Sequence, residues 1–235
     1  GGDAFVFKAN PAKFELLAED DAADPKQGAA VATKLCDSKV NGVVGHLNSG
    51  TTIPASKIYN DCGVPMITPS ATNPKLTQQG YKNVYRLLAN DNALGAGLAL
   101  HAANNLKLKK VAIIDDRSAY GQGVADEFEK GVKAKGGKVI GREFTNDKAT
   151  DFTAILTSLK AKSPDIVFFG GMDAVAGPML RQMKQLGINA KFMGGDGICS
   201  GELPKLAAGT MADGQVVCAE AGGVEGESKK SLDVF

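Results

Sequence analysis

The chain has 235 residues, of which 43% are hydrophobic and 23% are charged, and its formal net charge is +1. These proportions are typical of a soluble globular protein, and the length suits one large α/β domain or two smaller ones. A nearly neutral chain offers no basic field for nucleic acid, and no apolar run approaches the roughly 20 residues of a membrane span. The composition therefore argues against nucleic-acid binding and membrane insertion.

The four cysteines are Cys36, Cys62, Cys199 and Cys218, and none of them has the CxxC spacing of a zinc or thioredoxin-type site. Their even number fits two disulfides, and four buried free thiols fit as well. Cys36 and Cys62 each end a predicted helix that precedes a strand, which would place both at one edge of a sheet. The amino end has no signal-peptide pattern, so we expect either a cytoplasmic protein or a processed exported one.

Predicted strands and helices alternate along the chain, which is the pattern of a parallel α/β sheet. We expect residues 4–7 to form half of a hairpin that turns at Asn10-Pro11, and residues 14–18 to form a strand. A helix over 25–38 follows, with Asp24 as its N-cap and Pro25 as its first residue. The remaining predicted elements of this section are strand 43–44, helix 53–61, strand 65–67 and strand 84–87.

A second series of elements begins at about residue 91. It is predicted to contain helices at 91–104, from about 121, at 152–162 and at 175–186, and strands at 111–114, 138–144, 166–169, 192–193 and 215–219. The break at 88–92 and the glycine-rich stretch 219–226 are interpreted as crossings between two lobes. We therefore predict a first lobe over 1–90, a second lobe over 91–219 and a truncated return crossing over 220–235. The first lobe would lack its first strand and helix, so we expect a fragment of a longer protein.

The motifs of catalysis are weak in this chain. Gly121-Gln122-Gly123 begins like a dinucleotide fingerprint, but Asp126 replaces the third glycine, so a helix start is favoured. His46 ends a strand and could act as a base towards Ser49, although no partner carboxylate is evident from the sequence. The sequence therefore predicts no catalytic residue, no cofactor and no metal, and indicates that the protein is not an enzyme.

Small hydroxyl residues follow two neighbouring predicted strands, at the sheet edge where open parallel sheets bind ligands. Ser49, Thr51 and Thr52 follow the first of these strands, and Ser70 and Thr72 follow the second. The start of the adjacent helix would add free backbone N–H groups suited to a carboxylate. The alternative is that Ser49 and Thr52 merely cap that helix.

Complementary groups follow the predicted strands of the second lobe. Tyr120 is placed at a loop tip where its ring could close over a ligand, and Asp196 could hold an ammonium group. Met172 and Asp173 follow a third strand across two glycines. Each of these residues could instead be a solvated loop residue, but together they suit one zwitterionic ligand.

Six short stretches carry recognisable motifs: residues 18–27 (AEDDAADPKQ), 45–49 (GHLNS), 69–74 (PSATNP), 116–123 (DRSAYGQG), 169–171 (FGG) and 192–197 (FMGGDG). In the same order, these stretches closely resemble the Leu/Ile/Val-binding protein family, whose members are periplasmic amino-acid-binding proteins that serve ABC importers. The resemblance implies a two-lobe type I periplasmic-binding-protein fold, each lobe a mostly parallel sheet flanked by helices. It further implies capture of a free aliphatic or neutral L-amino acid in the periplasm and delivery to ABC importer permease subunits. A related amide or amino-acid sensory or regulatory module is the alternative.

The resemblance also assigns roles to site residues. Ser49 and Thr72 would bind the ligand carboxylate, the Ser70 carbonyl and Asp196 would bind its ammonium group, and Tyr120 would close from the second lobe. The rest of the expected binding set is Leu47, Asn48 and Met172, which would line the side-chain pocket, together with Ala71 and Asp173.

This sequence departs from the family pattern at several positions. Asp196 stands where the best-known members carry glutamate, and Met172 stands where they carry an aromatic ring. Their first-lobe disulfide is absent, with Ala23 and Asn48 at its two positions. Against this background the resemblance suggests that Cys36 pairs with Cys62, and that Cys199 pairs with Cys218 in the second lobe.

Overall fold

The computed structural model describes residues 4–7, 10–13 and 15–222, whose strands form three sheets. The first is an antiparallel pair, β1 (Ala4–Phe7) and β2 (Asn10–Lys13). The second is parallel and consists of β3 (Val43–Val44), β4 (Met66–Thr68) and β5 (Val84–Arg86). The third is parallel, has the order β10-β9-β8-β6-β7, and consists of β6 (Lys110–Asp115), β7 (Lys138–Phe144), β8 (Ile166–Gly170), β9 (Lys191–Gly194) and β10 (Val216–Cys218).

Helices connect the parallel strands, because parallel pairing requires a crossover connection between consecutive strands. The α-helices are α1 (Pro25–Asp37), α2 (Ser49–Cys62), α3 (Lys75–Gln78), α4 (Asp91–Asn104), α5 (Ala119–Ala134), α6 (Thr153–Lys160), α7 (Asp173–Gln185) and α8 (Leu203–Leu206). A short 3₁₀ helix covers Asp196–Ile198. The predicted α/β class, with parallel sheets flanked by helices, is confirmed.

The five-stranded sheet is buried on both faces, because successive side chains of a strand point to opposite sides. Ile114 and Phe169 pack with α6 and α7 on one face. Ile113 and Phe168 pack with α4 and α5 on the other. All four side chains are fully buried. This double-sided core fixes the carboxyl ends of β6, β8 and β9, which carry the candidate site residues of this sheet.

The three-stranded sheet packs on helices through one face. Met66 and Val84 join Tyr59 of α2 in a core that also includes residues of α1. On the opposite face Val44 is 80% exposed and Tyr85 is 53% exposed. The described residues therefore cover only one side of this sheet.

The amino-terminal predictions were partly wrong. The hairpin forms, but Phe7 pairs with Asn10, so Asn10 and Pro11 lie within β2 and the connection comes earlier. Proline is tolerated there because a two-stranded hairpin has only edge strands. The strand expected over 14–18 is not seen: residues 15–18 have no regular structure, and Leu16 is 87% exposed. An apolar run becomes a strand only with a neighbour to pair with, and residues 15–18 pair with none of the described strands; residue 14 lies outside the described ranges.

Helix α2 begins four residues earlier than predicted and continues through Pro54. Its N-cap is Asn48, while the Thr51 and Thr52 hydroxyls both donate to the Asn48 carbonyl, at 3.0 and 2.7 Å. The Asn48 carbonyl also accepts from the Thr52 N–H at 2.9 Å, so helical bonding is already established before residue 53, the predicted start. Ser49 and Thr52 are thus not the N-caps that the alternative interpretation required.

Two disulfides join the cysteines in the expected pairs. Cys36 at the end of α1 bonds to Cys62 at the end of α2, with Cα atoms 6.1 Å apart. Cys199 bonds to Cys218, which ties the segment after the 3₁₀ helix to β10. Within the described ranges, no helix has the length and apolar character needed to cross a bilayer.

Candidate functional site

The start of α2 presents donors that are free to bind an anion. Asn48 makes no side-chain capping bond, which leaves the first N–H groups of the helix available. Ser49, which is 1% exposed, accepts a hydrogen bond from the Asn73 backbone N–H at 3.2 Å, so its own proton is not used in that contact. The hydroxyls of Thr51 and Thr52, in contrast, are already committed to the Asn48 carbonyl. Of the predicted hydroxyl groups in this loop, only Ser49 keeps a proton to offer.

The loop after β4 is organised by a residue that the sequence analysis did not single out. The Thr68 hydroxyl donates to the His46 carbonyl at 2.8 Å and accepts from the N–H groups of Ser70 and Ala71. This holds the two loops side by side, so the neighbouring Thr72 hydroxyl becomes buried. The Thr72 hydroxyl has no hydrogen-bond partner among the described residues. A side-chain-to-backbone turn of this kind is a known property of threonine, so the Thr that ends the strand, two and three residues before Ser70 and Ala71, was the available signal.

Tyr120 and Asp196 lie together at the carboxyl edge of the five-stranded sheet. The Tyr120 hydroxyl donates to Asp196 Oδ1 at 3.0 Å and accepts from the Gly197 N–H at 2.8 Å. Tyr120 is 4% exposed and sits in the first turn of α5, so its expected position at a loop tip was wrong. Burial raises the pKa of Asp196, and the bond from Tyr120 lowers it in part. Asp196 therefore presents a pre-positioned carboxylate with one oxygen already bonded.

The remaining predicted site residues have mixed surroundings. Met172 precedes α7, is half-buried, and its sulfur would meet a side chain added at Gly197. Asp173 accepts a hydrogen bond from the Ser200 hydroxyl, so it holds its own segment in place. Leu47 is 64% exposed, whereas Ala71 is buried in the core beneath the three-stranded sheet.

The glycines of the fingerprint-like segment serve close packing. A side chain at Gly121 would collide with the Gly170 carbonyl at the end of β8, and a Cβ at Gly123 would lie 2.6 Å from Asn73 Nδ2. The segment is the first turn of a helix with Ser118 as its N-cap, whose hydroxyl accepts from the Gly121 N–H. The interpretation as a helix start is confirmed.

His46 has the carboxylate partner that the sequence did not reveal, but it does not contact Ser49. Its Nδ1 lies 2.7 Å from Asp21, and its Nε2 lies 3.0 Å from the Tyr59 hydroxyl. Both ring nitrogens are thereby occupied, and the ring is 7% exposed. Asp21 comes from the acidic turn 25 residues earlier, so no local motif marks the pair. The arrangement positions the loop that precedes α2.

Buried acids dominate the electrostatics of the site. Asp91, at the start of α4, is fully buried, and neither of its oxygens has a partner among the described residues. Burial raises its pKa to about 7, and the charges of Asp196 and Glu127 contribute to the increase. Sequence reasoning treated Asp91 only as the start of a helix. The described residues contain no cluster of three or more His, Cys, Asp or Glu that could hold a metal.

The geometry thus separates two kinds of group. Proton donors lie at the start of α2, and carboxylates lie around Asp196. The bond from Asn73 Nδ2 to the Ala119 carbonyl, at 2.6 Å, brings the two sides into contact next to Tyr120. Hydrogen-bond donors at a helix start suit a carboxylate, and carboxylates suit an ammonium group.

Comparisons with known proteins identify the family of this chain. A family model described as periplasmic binding protein matches residues 7–223. A leucine-, isoleucine-, valine-, threonine-, and alanine-binding protein of Pseudomonas aeruginosa is 42% identical over 207 residues, which cover 88% of this chain and 55% of the relative. Curated relatives of this kind are matched over 53% to 59% of their length, so the chain spans little more than half of them.

Two solved structures have similar folds. The leucine binding protein LivK from Thermotoga maritima MSB8 superposes with a TM-score of 0.81 at 30% identity, over 84% of this chain and 57% of that one. The branched-chain amino acid transporter substrate binding protein LivJ from Streptococcus pneumoniae, in complex with isoleucine, has a TM-score of 0.80 at 29% identity, over 94% and 64%. The resemblance inferred from the sequence motifs and the type I fold are both confirmed.

Proposed function

Because this chain belongs to the periplasmic binding protein family, we propose that it captures an aliphatic or neutral L-amino acid between two hinged lobes. In this proposal the lobes are residues 1–90 and 91–219, connected by a return crossing over 220–235. The loaded protein delivers its ligand to the permease subunits of an ABC importer. The protein works in the periplasm, and this location agrees with its two disulfides because oxidising compartments maintain such bonds.

The observation that carries the proposal is the pairing of opposite chemistries at the two sides of the site. The Ser49 hydroxyl and the uncapped start of α2 suit a carboxylate, with Thr72 beside them. Asp196, held by Tyr120, suits an ammonium group, and the family resemblance assigns the Ser70 carbonyl to the same group. Neutral side chains are expected because Leu47 and Met172 offer apolar surface and no compensating charge.

Binding without catalysis is the second part of the proposal. A hydrolytic mechanism needs a histidine that contacts a nucleophile. His46 is instead bonded through both ring nitrogens, to Asp21 and Tyr59, and Ser49 is bonded to the Asn73 backbone. This arrangement supports a receptor role for the site.

Isothermal titration tests the proposal, using leucine, isoleucine and valine with lysine and aspartate as charged comparisons. The full chain that its gene encodes should bind at least one neutral amino acid. Ser49→Ala and Asp196→Asn should each weaken binding about 10- to 100-fold, since hydrogen bonds to charged groups are worth roughly 1.5–3 kcal/mol. Thr33→Ala and Asp213→Asn are matched controls at exposed positions and should leave the affinity unchanged. Absence of heat with every neutral amino acid would contradict the proposed function.

A further inference from the structure

Three of the four polar groups of Asn73 are fixed by residues of the same proposed lobe, residues 1–90, which is called its own half below. Its backbone N–H donates to the Ser49 hydroxyl at 3.2 Å, and its carbonyl accepts from Arg86 at 3.2 Å. Its side-chain oxygen accepts from the Lys75 N–H at 2.9 Å. The side chain is therefore held in one orientation before it makes any contact outside this half.

The fourth group reaches the other half. The Asn73 side-chain NH₂ donates to the carbonyl of Ala119, 46 residues later, at 2.6 Å. Ala119 is the first residue of α5, which packs on the five-stranded sheet, whereas Asn73 follows β4 of the three-stranded sheet. Asn73 bonds to Ser49, and Ala119 directly precedes Tyr120, which bonds to Asp196. The bond between Asn73 and Ala119 therefore connects the Ser49 side of the site to the Asp196 side.

Gly123, one turn along α5, makes the close approach feasible. A Cβ at this position would lie 2.6 Å from Asn73 Nδ2 and 3.1 Å from Asp91 Oδ2. Its backbone is helical, so glycine is not needed for conformation, and a glycine inside a helix costs about 1 kcal/mol relative to alanine. The bare helix surface is therefore explained by the approach of Asn73 and Asp91.

We propose that Asn73 is a positioning residue that latches the two lobes together over the bound ligand. We call Asn73, Ala119 and Gly123 the Asn73 latch. The inference rests on the proposed function, because it assumes that hinge opening separates the two sheets. Since the same residue bonds to Ser49, the latch links the carboxylate end of the ligand site to lobe closure. A bond made only in the closed state raises the closed population, which tightens apparent affinity and slows ligand release.

Two substitutions on opposite sides of the latch test the inference. Asn73→Asp keeps the oxygen that bonds the Lys75 N–H but removes the donor and sets a carboxylate oxygen against the Ala119 carbonyl. Gly123→Ala blocks the approach from α5. Each should weaken amino-acid binding roughly tenfold, through faster dissociation at an unchanged association rate. Gly97→Ala is the matched control, because Gly97 is an exposed helical glycine with open space around it.

Lobe closure can also be followed in the ligand-free protein, by measuring the distance between the two lobes. Fluorophores introduced as unnatural amino acids at Lys57 of α2 and Lys130 of α5, whose side chains are 64% and 70% exposed, report the separation of the lobes. Asn73→Asp and Gly123→Ala should both shift the ligand-free protein to longer distances than wild type and Gly97→Ala. If the wild type binds no amino acid but the distances lengthen in both variants, the proposed function is contradicted and the latch is supported. Distances and dissociation rates equal to wild type in both variants would overturn the latch.

Discussion

The buried carboxyl group of Asp91 makes the stability of this protein dependent on pH. Burial is the main cause of the rise in its pKa from the ordinary 3.8 to about 7. Of the charged groups around it, Asp196 and Glu127 raise the pKa further, while Arg86 lowers it. Asp91→Asn removes the charge while keeping the size of the side chain, so it isolates the electrostatic cost.

The magnitude follows from linkage between proton binding and folding. Because the pKa is higher in the folded state, the free energy of unfolding falls as pH rises from about 4 to 7 and is constant above that. Three pH units at 1.36 kcal/mol each give a total of about 4 kcal/mol, of which about 3 kcal/mol falls between pH 5 and pH 8. The Asp91→Asn variant lacks this loss. We therefore expect the free energy of unfolding of Asp91→Asn, relative to wild type, to be about 3 kcal/mol higher at pH 8 than at pH 5.

Urea unfolding followed by circular dichroism at pH 5 and pH 8 measures this difference. Comparing the two pH values for one variant cancels any constant effect of the amide on packing. Asp213→Asn, at an exposed turn, serves as the control and should show no such gain. If Asp91→Asn changes the free energy of unfolding equally at both pH values, Asp91 is not buried as a charged group above pH 7 and the reasoning fails.

Two further predictions concern stability. Tyr59→Phe removes the hydroxyl that lies 3.0 Å from His46 Nε2, and it should lower the free energy of unfolding in urea by about 1–2 kcal/mol. The control Tyr85→Phe loses an exposed bond to a backbone carbonyl and should lower it by less than about 0.5 kcal/mol. Equal losses in the two variants would contradict a buried network around Tyr59. Replacing both Cys36 and Cys62 by alanine should lower the free energy of unfolding by about 3 kcal/mol, as expected for a bridge between residues 26 apart. Peptide mapping of the unreduced wild type should recover the Cys36–Cys62 pair. Free thiols at these two positions would refute the bridge.

The sequence was most informative where a local pattern has one structural solution. Asp24 caps α1 through the N–H groups of Lys26 and Gln27, as the Asp-Pro pair predicts. The helix predicted from about residue 121 is α5, and Val124 and Phe128 on its inner face are 0% exposed. The order of strands and helices followed from such local signals.

The parts that could not be predicted depend on partners distant in sequence. Asp21 reaches His46 across 25 residues, and the burial of Asp91 results from the approach of α5, so neither could be read from neighbouring residues. Thr51 and Thr52 were expected to bind ligand because hydroxyl-rich loops often do, yet both bond back to Asn48. Counting donors in a loop overestimates those available, since the backbone competes for them.

Under the proposed function, the distribution of charge accounts for selection of zwitterions without an arginine. Asp196 is oriented by Tyr120, and Ser49 by Asn73, before any ligand arrives, so little ordering is required on binding. A molecule with only an ammonium group would leave the α2 start unpaired, and one with only a carboxylate would leave Asp196 buried without a counter-charge. Leaving a buried charged group unmatched costs more than the bond itself contributes. In the proposed function, discrimination therefore comes from the penalty for incomplete ligands. Because Asn73 contacts both Ser49 and Ala119, the proposed latch would make an incomplete ligand weaken lobe closure as well as binding.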